Sequence, residues 1–183
     1  MTGYSTRTIM IAAAVGVVFG LLLIPANVYT LAMTMTYPLL GAVTWGLWGM
    51  AAYVSVGLLR RFGVGILANV VAGLVSGPLT GYGWALAGTM LLWGLVIELP
   101  FLITRYRRFS VVIFLGTGAF VGLANAAMGW VPLGLGQMQP AIVALVVGGA
   151  VASCVLCAWL SYLSVGRLAV AGIGVGPRRS RTS

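Results

Sequence analysis

The chain alternates long apolar runs with short connectors rich in glycine, proline, arginine or aromatic residues. Runs of this length suit membrane helices of about 20 residues rather than the alternating strands of a barrel. Six are predicted, over residues 8–24, 38–59, 62–76, 84–104, 109–128 and 138–165. Pro25 is expected to end the first, leaving residues 25–37 as a polar and aromatic connector. Arg7 precedes the first run in the manner of a signal peptide, but that run is long and five more follow, so a retained helix is expected. The last run is longer than one span needs, and its start before Pro140 reads as a re-entrant or interfacial turn.

Composition agrees. Hydrophobic residues make up 61% and charged residues 6%, far below the roughly 25% charged of soluble domains. The fold class is therefore all-α, a polytopic membrane protein of about six transmembrane helices. Residues 1–170 form the membrane domain, and residues 171–183 form a basic tail expected to be disordered. All ten cations are arginines, and the chain has no lysine and no histidine. That removes imidazole metal and haem sites, histidine proton relays, Schiff-base lysines and the phosphate-binding loop of ATPases. No cofactor, no metal and no catalytic residue is expected, and the chain does not read as an enzyme.

The arginines set the orientation. Arg7 precedes the first helix, Arg60 and Arg61 separate the second and third, and Arg105, Arg107 and Arg108 separate the fourth and fifth. Arg167, Arg178, Arg179 and Arg181 follow the sixth. With six spans all of these share one side, so both termini are expected in the cytoplasm of a multi-pass cell-membrane protein. The net charge of +9 then reflects the cytoplasmic loops of a protein in the lipid bilayer rather than a nucleic-acid partner.

Glu98 is the only acidic residue. It lies in the apolar run Leu91–Phe101, and an acid at membrane depth is a functional candidate by default. At a rise of about 1.5 Å per residue it lies roughly 10 Å from the arginine boundary, level with Asn69. By the same measure Trp48 and Trp93 lie roughly 16 to 18 Å from that boundary, with Trp45 and Asn125 further out. The arginine-free connectors add Asn27, Tyr37, Trp130 and Gln137. Part of this aromatic set fits an interfacial belt. The rest fits a pocket for a small polar aromatic, with rings to stack on, amides to read its edge and a carboxylate at the floor. Pro100 removes one helix hydrogen bond beside Glu98. Pairing of Glu98 with Arg105 or Arg61 is the structural alternative. Cys154 and Cys157 sit in an apolar stretch and read as small buried residues rather than a redox pair. Ala12, Gly16 and Gly20, spaced four apart, form a row that lets another helix approach closely, whether a partner's or one of its own.

Several ordered segments carry a resemblance. They are Gly46-Leu47-Trp48, Leu59-Arg60-Arg61-Phe62-Gly63, Ala68-Asn69-Val70-Val71-Ala72-Gly73-Leu74-Val75, Gly94-Leu95-Val96-Ile97-Glu98-Leu99-Pro100-Phe101 and Arg105-Tyr106-Arg107-Arg108. Over residues 8–128 the chain resembles the YkoE family of substrate-binding S components of energy-coupling factor (ECF) transporters. The resemblance implies six helices and capture of thiamine or its hydroxymethylpyrimidine precursor. It also implies docking on a membrane coupling subunit driven by two ATPase subunits, with Ala12, Gly16 and Gly20 as the docking row. It assigns Glu98 to the ligand. The chain departs from the family pattern at Asn69 and Ser76, where acidic residues are common, and at Trp93, where a glutamine is common. Two other functions fit the residues: a stand-alone proton-coupled transporter with Glu98 as the coupling acid, and a non-catalytic membrane anchor subunit.

Overall fold

A computed structural model describes residues 5–34, 36–106 and 109–173. Among these there is no strand, and the chain folds as α1 (Thr6–Thr34), α2 (Pro38–Ala42), α3 (Met50–Leu59), α4 (Val64–Ser76), α5 (Ala85–Ile103), α6 (Val111–Gly129) and α7 (Pro140–Val170). Three short 3-10 turns, Trp45–Gly49, Gly77–Leu79 and Leu135–Gln137, join them. Five stretches are long and apolar enough to cross a membrane, taking Pro38–Leu59 as one; Val64–Leu79 is a shorter sixth. Arg107, Arg108 and the tail arginines Arg178, Arg179 and Arg181 lie outside the described residues, as does the tail expected to be disordered from residue 174 onward.

Two expected boundaries are corrected. The first helix does not stop at Pro25 but runs on to Thr34 with the proline inside it. Proline is tolerated within membrane helices, where neighbouring groups satisfy the freed carbonyl. The second correction is larger: residues 38–59 are not one helix but two helices with a 3-10 turn between them. Gly41, Gly46 and Gly49 weaken this stretch. The released backbone groups find side-chain partners on α7 and within the stretch itself. The Ser153 hydroxyl of α7 donates to the Val43 carbonyl at 2.6 Å and accepts from the Gly46 amide at 3.1 Å. Thr44 donates to the Gly41 carbonyl at 2.7 Å, and its hydroxyl pairs with that of Thr30 on α1. The last turn, before Pro140, is the 3-10 segment Leu135–Gln137.

α3 is the axis of the molecule. Every residue from Ala51 to Leu59 is buried, as expected of a helix that is apolar all round. Tyr53, Val56, Leu58, Ile97, Phe101 and Phe114 build the main cluster around it. Helices meet closely where glycine faces a neighbour. A methyl group on Gly16 would stand 2.5 Å from the Ala68 carbonyl and 2.8 Å from the Val71 side chain of α4. One on Gly20 would stand 2.8 Å from Val75. Gly118 and Gly122 of α6 meet the backbone of α7 in the same way. Contact of this kind holds membrane helices together where lipid removes the hydrophobic drive.

Ala12, Gly16 and Gly20 are all buried, the two glycines against α4. The face carrying Gly16 and Gly20 is taken by the chain's own fourth helix.

Gly16→Val should clash with the α4 backbone and cost about 1–3 kcal/mol or more, read as a lower melting temperature in detergent. Gly88→Ala, where an added methyl meets no atom within 4 Å, should be neutral or stabilising.

Candidate functional site

Glu98 is 1% exposed and lies against the N-terminus of α4. Its Oε1 accepts from the Gly65 amide at 2.6 Å and the Ile66 amide at 3.2 Å. Its Oε2 accepts from the Gly63 amide at 2.7 Å and the Tyr106 hydroxyl at 2.9 Å. The first amides of a helix have no partner within it, and they carry the positive end of its dipole. A buried carboxylate supplies what both lack. Glycine is needed at this junction. Gly63 holds a left-handed φ of 79°, and a methyl on Gly65 would stand 2.9 Å from Oε1. A carboxylate offers about four lone-pair sites, and here four donors fill them. The partners of Glu98 are therefore these amides and Tyr106, and not the Arg105 or Arg61 of the structural alternative.

The helix α5 continues through Pro100 to Ile103. Asn69 lies one turn further along α4 than Ile66, and its Nδ2 donates to the Met90 carbonyl of α5 at 3.0 Å. Glu98 and Asn69 therefore occupy successive levels of the α4–α5 contact rather than one level.

The other expected site residues divide into groups. Asn27 and Trp48 come together: the indole Nε1 of Trp48 donates to Asn27 Oδ1 at 2.9 Å. The Tyr82 ring stands edge-on to Trp48, with centroids 5.6 Å apart. Burial pushes the Tyr82 phenol above its usual pKa, so it remains a neutral donor. Trp48 and Tyr82 cover an apolar cluster of Leu23, Ala68, Ala72, Leu86 and Met90, and Asn69 bonds to the backbone of its last member. Trp93 is buried in the main cluster, against which Trp48 also packs.

Trp45, on the same broken stretch as Trp48, lies in a different cluster with Leu135, Val146 and Ala150. Asn125 donates to the Val121 carbonyl of its own helix at 3.1 Å. Trp130, Tyr37 and Gln137 are exposed in connectors. These five are not gathered with Asn27 and Trp48. Tyr82, a connector aromatic outside the expected site set, completes the cluster. The signal available was its place in the Gly81-Tyr82-Gly83 connector, which only the fold brings beside Trp48.

Among the described residues, four buried polar atoms lack a partner: Asn27 Nδ2, Asn69 Oδ1, Tyr53 OH and Ser55 Oγ. Each such group costs about 1–3 kcal/mol. Two of them, a donor and an acceptor, belong to asparagines bordering the Trp48–Tyr82 cluster. Among the described residues no three cysteine, aspartate or glutamate side chains converge as a metal site would need.

The family model for the permease component of the ABC-type cobalt transport system matches residues 7–124. The chain belongs to this family. A solved structure described as an S-component of an ECF transporter has the same fold, with a TM-score of 0.83. The two sequences are 20% identical, and the match covers 93% of this chain and 88% of the other. No curated protein matches the sequence. The family is one of transport-system membrane subunits, in keeping with the apolar helices described above.

Glu98→Gln replaces one acceptor oxygen by an amide that faces N–H or O–H donors. The expected cost is about 2–3 kcal/mol, as for a hydrogen bond to a charged group, seen as a lower melting temperature. The carboxylate has no free lone pair for a ligand, so ligand-induced stabilisation should survive in this variant. Its loss in a folded Glu98→Gln protein would return Glu98 to the binding site.

Proposed function

We propose that the protein is the substrate-binding S component of an ECF-type importer. It captures a small vitamin-like heteroaromatic, thiamine or its hydroxymethylpyrimidine precursor, and delivers it through a membrane coupling subunit driven by two ATPase subunits. Both termini lie in the cytoplasm of a multi-pass cell-membrane protein, as the arginine distribution favours. Family membership and the S-component fold support the class.

The observation that carries the ligand reading is the Asn27–Trp48–Tyr82 cluster with its unpartnered asparagine groups. Tryptophan and tyrosine faces suit a flat ring. The spare Nδ2 of Asn27 donates, and the spare Oδ1 of Asn69 accepts. An aminopyrimidine offers both complements, a ring nitrogen and an exocyclic amine. The site also lies beside a broken hydrophobic helix, and discontinuous helices often mark binding sites in transporters. In this reading Asn27, Trp48, Tyr82 and Asn69 form the pocket, and Glu98 supports it by fixing α4 to α5.

The family's name refers to cobalt, but the donors on this chain suit an organic ring better. The chain has no histidine, and Glu98 has spent its lone pairs on backbone amides and a phenol. The same saturation weighs against a stand-alone proton-coupled transporter: a protonated Glu98 would turn a donor toward donors.

A thermal-shift series with thiamine, hydroxymethylpyrimidine and cobalt(II) chloride tests this. An organic ligand at about a hundred times its dissociation constant should stabilise the protein by about 2.7 kcal/mol. Asn27→Ala and Trp48→Ala should each remove most of that gain. Stabilisation by cobalt alone would reverse the assignment, and no shift with any of them would favour the anchor-subunit function.

A further inference from the structure

The arginine-bearing end of the molecule contains two clefts that share one side chain. The larger, of about 940 Å³, lies between the end of α3, the start of α6 and the end of α7, and is lined by Arg60, Phe109, Phe114, Tyr162 and Arg167 among others. The smaller, of about 560 Å³, runs between α1 and α7 over α3. Its walls include Ile11, Val15, Phe19, Leu58 and Leu168, and Arg167 closes the set. Its other polar lining group, the Ser164 hydroxyl, donates to the Leu160 carbonyl of its own helix. From Ile11 to Phe19 the groove follows α1 for about 12 Å away from the arginine end. It is an apolar channel that begins at a guanidinium.

The two arginines have no acidic side chain of this protein to pair with. The single carboxylate is buried and fully engaged by Gly63, Gly65, Ile66 and Tyr106. The Arg60 guanidinium instead stands over the Phe109 ring, 4.7 Å from its centroid, a contact that fixes it in the cleft wall. Both arginines are exposed, and a guanidinium binds phosphate through paired N–H donors.

We propose that the two clefts form one binding site for an anionic diacyl phospholipid, with its phosphate held by Arg60 and Arg167 and an acyl chain lying in the α1–α7 groove. A soluble anion would use the arginines but not the apolar groove. A zwitterionic lipid would use the groove and offer a phosphate, but its own ammonium would cancel that charge and leave the two cations uncompensated. Only a ligand with both parts matches the charge and the surface, and basic pockets between membrane helices commonly hold acidic headgroups. The inference is independent of the transport reading, since neither cleft includes Asn27, Trp48, Tyr82 or Asn69.

Native mass spectrometry of the delipidated full-length protein tests it, with dioleoyl phosphatidylglycerol and dioleoyl phosphatidylcholine in competition. The phosphatidylglycerol adduct should be favoured on the order of five-fold for each arginine engaged. The preference should vanish in Arg60→Ala/Arg167→Ala and persist in weaker form in Arg60→Lys/Arg167→Lys, which keeps the charge if the alanine pair does not fold. Glycerophosphoglycerol, the headgroup without chains, should not compete. Equal retention of the two lipids by the unaltered protein would overturn the proposal, as would a preference unchanged in the alanine pair. Displacement by glycerophosphoglycerol would reduce the site to a simple anion site. Displacement by a poly-glutamate peptide would give it to an acidic protein partner.

Discussion

The anchoring of α4 by Glu98 is the constraint on which the arrangement depends. Inside a bilayer no water is available to satisfy a helix start, so its amides need partners from the protein. The junction between α3 and α4 has no Ser, Thr, Asp or Asn at Gly63 to provide a local cap. The partner comes instead from α5, 32 to 35 residues along the chain. One carboxylate thereby ties the α3–α4 turn, the α5 helix and, through Tyr106, the start of the α5–α6 connector. It answers two problems at once: a charge that lipid would penalise, and helix amides that lipid would leave bare.

With α4 fixed, its two faces are assigned. One receives the small residues of α1, and the other meets α5 at Gly94 and Asn69. The broken stretch before α3 then lies among α1, α5 and α7, where Thr44 and Ser153 satisfy its backbone and Thr30 of α1 bonds the Thr44 hydroxyl. Trp45 and Trp48 both lie in the 3-10 turn of this break. They turn toward different clusters, and only Trp48 meets Asn27 and Tyr82. The site is thus a consequence of where a helix could not be continuous.

Charge follows the same economy. Because the one acid is internal, the described arginines find no acidic side chain within the protein. They take aromatic rings, as Arg60 does with Phe109, or remain open at clefts, as Arg167 does. The resulting end of the molecule is complementary to negative charge from outside it.

Composition and pattern alone determined the membrane class, the six apolar segments, the grouping of arginines and the singularity of Glu98. These are local or additive properties, and each residue contributes to them wherever it sits in space. Kinship with transport-system membrane subunits was also legible, because it rests on ordered short segments. Which face of each helix is buried was not legible, since α1 and α3 are apolar all round and carry no stripe. For that reason the row Ala12, Gly16, Gly20 could be seen but not its occupant. The break at residues 43–49 was equally hidden, because its stability comes from Ser153, more than a hundred residues away. For Glu98 the sequence established that a buried acid must be neutralised or bonded. Only the tertiary structure decided that backbone amides of another helix do it, because those donors carry no side-chain signature.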